Sequence, residues 1–117
     1  MRYLDKGAGL DISFKNAKLA KDFNEGKRLE KVHGASRAKK IKARMKALRA
    51  ASSLRDFSPP FTGPERCHKG QLSMDLDHPY RLIFVPDHKP LPTKPDGGLD
   101  WKLVTAIVIT GVEDTHE

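Results

Sequence analysis

A chain of 117 residues, 38% hydrophobic and 32% charged, suits one polar domain with a two-layer core. Its single cysteine, Cys67, excludes an internal disulfide and points to a reducing cytoplasm. No apolar run reaches membrane-spanning length, and the first residues lack a signal-peptide core. The net charge of +7 is uneven: residues 31–55 hold nine of the 22 Lys and Arg and no Asp or Glu, leaving 13 basic against 15 acidic residues elsewhere. Such a segment meets phosphate, an acidic membrane surface or an acidic protein, or it is a solvated helix face.

Residues 1–10 show no pattern and are read as a frayed lead-in. Residues 11–15 alternate Ile12 and Phe14 with polar neighbours, a short strand. Asn16 can cap a helix through Glu25 with Leu19, Ala20 and Phe23 on its apolar face and Gly26 as its stop. A second helix begins at the N-cap candidate Ser36, with Ala38, Ile41, Met45 and Leu48 as a core stripe. Around its other faces lie Arg37, Lys39, Lys40, Lys42, Arg44, Lys46 and Arg49. Cations in the first turn oppose the helix dipole at roughly 0.3–1 kcal/mol each, and no acidic residue relieves their repulsion. A helix so far from its local optimum serves binding rather than stability, which favours an anionic partner.

All eight prolines lie between Pro59 and Pro95, so a helical half is followed by a half of strands and loops. Residues 57–64 form a proline-rich turn. In residues 69–84 Leu72, Met74 and Leu76 alternate with Gln71, Ser73, Asp75 and Asp77; after a break at Asp77-His78-Pro79, Tyr80, Leu82 and Phe84 alternate with Arg81, Ile83 and Val85. That pattern is an antiparallel hairpin. Arg81 shares a face with Ile83 and Val85, so its charge requires a carboxylate from within, Asp75 or Asp114, or an anion from outside. Residues 85–99 read as a long Pro/Gly loop, functional or simply floppy. From Trp101 to Val112 a nearly unbroken run of β-formers predicts a central strand covered on both faces.

The order strand, two helices, hairpin, strand, with His116 near the end, resembles the RelE/ParE toxin superfamily, and more closely its HigB-like branch of plasmid-maintenance killer proteins. The resemblance rests on Arg66-Cys67-His68-Lys69-Gly70-Gln71, on Asp77-His78-Pro79-Tyr80-Arg81-Leu82-Ile83-Phe84 and on the closing residues 104–116. It implies an α+β fold over a single domain: a small RelE-like antiparallel β-sheet with two N-terminal α-helices packed on one face and a basic groove on the other. It also implies the toxin of a type II toxin–antitoxin pair, a ribosome-dependent messenger RNA endoribonuclease without metal or cofactor. The implied partners are messenger RNA, the ribosome and a cognate antitoxin of the helix-turn-helix, HigA-like kind, in the cytoplasm and away from membranes.

Carried over by position, the resemblance puts the family's C-terminal Asp-Tyr-His on Asp114, Thr115 and His116, and its hairpin arginine on Arg81. His116 would donate or accept the proton, Asp114 would orient it, and Arg81 would hold the scissile phosphate. Lys69 would be a second phosphate contact and His68 a second proton-transfer group. Arg37, Lys40, Arg44 and Arg66 would hold further RNA phosphates. Thr115 departs from the family tyrosine, and the connector before the hairpin is shortened to His68-Lys69-Gly70. Two other readings use the same residues: a ParE-like inhibitor of DNA gyrase, and a basic nucleic-acid-binding module without cleavage. Cys67 reads as buried filler, and the five histidines lack zinc-site spacing.

Overall fold

In a computed structural model of the chain, residues 10–54, 71–77, 79–97 and 99–114 are described, together with the backbone of 65–66. The stripe Ala38, Ile41, Met45, Leu48 is fully buried on a helix over Ala35–Ala50, as its spacing requires. That helix is the third of three: α1 is Ala17–Asn24, α2 is Gly26–His33 and α3 is Ala35–Ala50. The strands are β1 Asp11–Phe14, β2 Glu65–Arg66, β3 Leu72–Asp75, β4 Tyr80–Pro86 and β5 Ala106–Asp114. They form one sheet in the order β1-β5-β4-β3-β2. Among the described residues no helix is long and apolar enough to cross a membrane.

The α+β class is as expected, but two parts of the expected arrangement are not. First, the sheet is mixed: β1 runs parallel to β5, while the other pairs are antiparallel. Ile12 and Phe14 stand beside Ile107 and Ile109, so β1 puts its apolar face on the core by docking at the edge of β5. Its direction is free because three helices and the hairpin separate it from β5 in the chain. Second, Gly26 opens a helix instead of ending one. The extended backbone at Glu25 breaks α1 from α2, and α2 buries only Leu29, too thin a stripe for periodicity to register. Asn16 caps α1 as expected, its Oδ1 accepting from the Leu19 amide at 2.9 Å.

Helix α3 starts earlier than Ser36 suggested. Gly34 holds φ 85°, ψ 158°, and supplies the sharp α2–α3 corner without a side-chain cap. Leu10 is not frayed; it is buried in the core with β1. At the other end, Trp101–Leu103 form a 3₁₀ turn, so β5 begins only at Ala106. The strand does lie inside the sheet. Residues 85–86 belong to β4, and the loop beyond is tied by a Thr93–Leu99 bridge and by the Asp100 amide on the Pro92 carbonyl at 2.9 Å.

Leu72, Met74, Leu82, Phe84, Ile107 and Ile109 share the sheet face that joins the α3 stripe in one core cluster. Each such side chain contributes about 1.5–3 kcal/mol when fully buried. Ser13, Ser73, Arg81 and Ile83 lie on the opposite face by alternation, and Ser13, Ser73 and Ile83 are buried there. A β-bulge between Ile83 and Phe84 lets Gly111 adopt φ 148°. Thr110 closes it by donating to the Ile83 carbonyl at 3.2 Å.

Candidate nucleic-acid interface

Six of the seven cations of α3 divide by helical position into three groups with different surroundings. Arg37 and Arg44, two turns apart, flank the core on the hairpin side. Arg37 Nε donates to Asp77 at 2.9 Å, and its guanidinium lies 3.5 Å from the centre of the Tyr80 ring. Arg44 Nε donates to the Asp75 carbonyl at 2.7 Å. Lys42, on the other flank, meets Glu30 of α2 at 3.4 Å. Lys39, Lys40 and Lys46 occupy the outer face and are exposed, with the small exposed residues Ser36, Ala43, Ala47 and Ala50 between them. Small side chains between lysines allow a backbone phosphate to approach the helix closely.

Electrostatics separate the inner from the outer cations. The hydrogen bond from Arg37 holds the Asp77 carboxyl below its ordinary range, and Arg37 and Lys40 add their charges to the effect. The same hydrogen bond pushes the Arg37 guanidinium up. Burial depresses the His33 imidazole, and the Arg37 charge depresses it further against the pull of Asp22 and Asp77. Arg37, expected at a phosphate, therefore spends its Nε and its ring-stacking face on holding α3 to the hairpin end. Arg44 likewise spends its Nε on the backbone. Lys40 is exposed on the outer face of α3.

Arg81 has found an internal partner. Asp75 stands directly beside it across the β3–β4 pair, and Arg81 Nη1 bonds the Asp75 carboxylate. Its Nε donates to Ser73 Oγ at 2.8 Å. On its other side, across β4–β5, stands Glu113. Alternation puts this cluster on the sheet face away from the helices, so Arg81 and the outer lysines of α3 do not converge. Asp114 pairs in register with Tyr80 and is exposed at the end of β5. Arg66 pairs in register with Leu72 through its backbone. Cys67, His68, Lys69, Thr115 and His116 lie outside the described residues. Among the described residues no group of three or more His, Cys, Asp or Glu is placed to hold a metal.

One basic feature escaped the linear reading of charge. At the α1–α2 corner Lys18, Lys21 and Arg28 line an open depression of about 590 Å³ with Ala17, Asn24 and Glu25. Counting net charge outside residues 31–55 hid it, because a sum over the chain does not show that Lys15, Lys18, Lys21 and Arg28 gather at one corner with only Asp22 and Glu25 among them. The i,i+4 pair Lys18–Asp22 was its one legible sign. Comparison with protein-family models, curated proteins and solved structures gives no match for the chain.

Proposed function

We propose that this chain is a toxin of the RelE/ParE kind that acts on messenger RNA, binding its phosphates through the outer face of α3 and checked by an antitoxin that covers that face. The observation that carries the reading is the division of labour on α3. The helix contains no acidic residue, Arg37, Arg44 and Lys42 secure its flanks, and Lys39, Lys40 and Lys46 remain as an exposed set. An exposed cation set on a firmly held helix is suited to neutralising phosphates with release of counterions. An acidic antitoxin segment would compete for the same charges.

Cleavage on this reading is a transesterification. A base removes the 2′-hydroxyl proton, O2′ bonds phosphorus, the P–O5′ bond breaks, and an acid returns a proton to O5′. His116 and His68 are the proposed proton carriers, and Asp114 and Lys69 the proposed support. Primer extension on messenger RNA after induction in a bacterial host tests it. Discrete cuts that vanish in His116→Ala and weaken in a Lys39→Glu/Lys40→Glu/Lys46→Glu variant support the proposal. Intact messages with arrested growth refute the nuclease chemistry.

The Arg81–Asp75–Ser73 cluster favours a second reading, because a guanidinium already neutralised has less to offer a scissile phosphate. On that reading the protein binds a polyanion, or inhibits gyrase, without cutting. Salt-dependent RNA binding without cleavage identifies the first case, and loss of supercoiling activity the second.

A further inference from the structure

The α1–α2 corner is assembled around one buried carboxylate. The Asp22 side chain, only 7% exposed, accepts from Arg28 Nε at 3.0 Å and meets Arg28 Nη2 at 2.9 Å and Lys18 Nζ at 3.5 Å. It holds the two cations at the mouth of the depression while leaving them in reach of solvent, with Lys18 79% and Arg28 40% exposed. Burial pushes the Asp22 carboxyl up, but the Arg28 hydrogen bond and the Lys18 and Arg28 charges bring it below its ordinary value.

A smaller hollow of about 190 Å³ adjoins on the other side of Lys18, lined in part by Lys15, Asn16 and Thr110. Across the two hollows four cations, Lys15, Lys18, Lys21 and Arg28, face two carboxylates, Asp22 and Glu25, an excess of two positive charges. Neither α1 nor α2 has an acidic residue in its first turn, where Lys18 and Arg28 instead add to the positive end of each helix dipole. A bound anion would relieve that local cost.

We infer that this depression is a second anion site, independent of α3, that takes the phosphate ester of a nucleotide. The charge excess covers the roughly −1.5 to −2 of a phosphate monoester and also the single charge of a strand phosphodiester. Asp22 takes the Nε–Nη2 edge of Arg28, which leaves the Nη1–Nη2 edge of the half-exposed guanidinium for phosphate oxygens. The larger hollow falls within the roughly 300–1,000 Å³ of small-ligand sites, and Asn24 offers donor and acceptor to the rest of the nucleotide. The phosphate comes either from a free mononucleotide or from a nucleic-acid strand.

Titration of the isotope-labelled full chain with inorganic phosphate, AMP and a short oligouridylate, followed by amide NMR, tests the site without using cleavage or toxicity. It therefore fails or succeeds separately from the function proposed above. Saturable shifts at Lys18, Lys21, Asn24 and Arg28 are expected. With AMP they indicate a mononucleotide site, and with the oligomer alone a strand phosphate; both support the inference. Lys21→Glu, at an exposed position, should weaken binding about tenfold and lower the salt slope by about one, whereas Lys40→Glu should leave AMP binding within about twofold. Unsaturable shifts spread over all lysines, or full affinity in a folded Lys21→Glu protein, overturn it.

Discussion

Replacing Asp22 by Asn tests how the α1–α2 corner is held. Removing one member of a fully buried ion pair costs about 3–5 kcal/mol, because the other charge is stranded. Here the cations are not stranded: Lys18 and Arg28 are 79% and 40% exposed and can turn to water. The cost therefore moves towards the range of about 0–1 kcal/mol for exposed pairs. The amide still accepts one bond from Arg28, which leaves an expected loss of about 1–2 kcal/mol, or about 4–10 °C in melting temperature at this chain length. The pH dependence carries a sign. The folded Asp22 pKa lies below its ordinary value of 3.8, so its contribution is complete above about pH 4 and is lost as pH falls through the depressed value. Urea denaturation of both proteins at pH 7 and pH 3 reads the difference. Equal midpoints at pH 7, or a gap as wide at pH 3, would refute the account.

Ile41→Ala should cost about 2–4 kcal/mol by opening a cavity beneath α3, measured by chemical denaturation with an unchanged m-value. Gly34→Ala meets no neighbouring atom, so its expected cost of about 1–3 kcal/mol is wholly backbone strain at φ 85°. A loss below about half a kcal/mol in the same assay would contradict that. Asp75→Ala removes the carboxylate that Arg81 Nη1 bonds, and RNA binding measured at fixed salt should tighten if Arg81 faces a phosphate. An unchanged affinity assigns Arg81 to the sheet alone.

The candidate site was legible in part. The acid-free helix stands out in the bare residue order, and Lys40 lies on its exposed outer face. Arg37 and Arg44 look equivalent to it in sequence, yet each meets a hairpin group some thirty to forty positions away. For Arg81 the residue order offered an inner or an outer partner. The β3–β4 register decided it by setting Asp75 alongside.

By itself the sequence determined what short-range periodicity and local hydrogen bonding control: the buried stripe of α3, the Asn16 cap of α1 and the antiparallel β3–β4 pair. Each depends on side-chain spacing within a few turns or across a short break. Only the tertiary structure decided the parallel docking of β1, the existence of α2 and the joining of Lys18, Lys21 and Arg28 into one basic hollow. These depend on which distant segments meet. Apolar burial selects such meetings across the whole chain, and no local period encodes them.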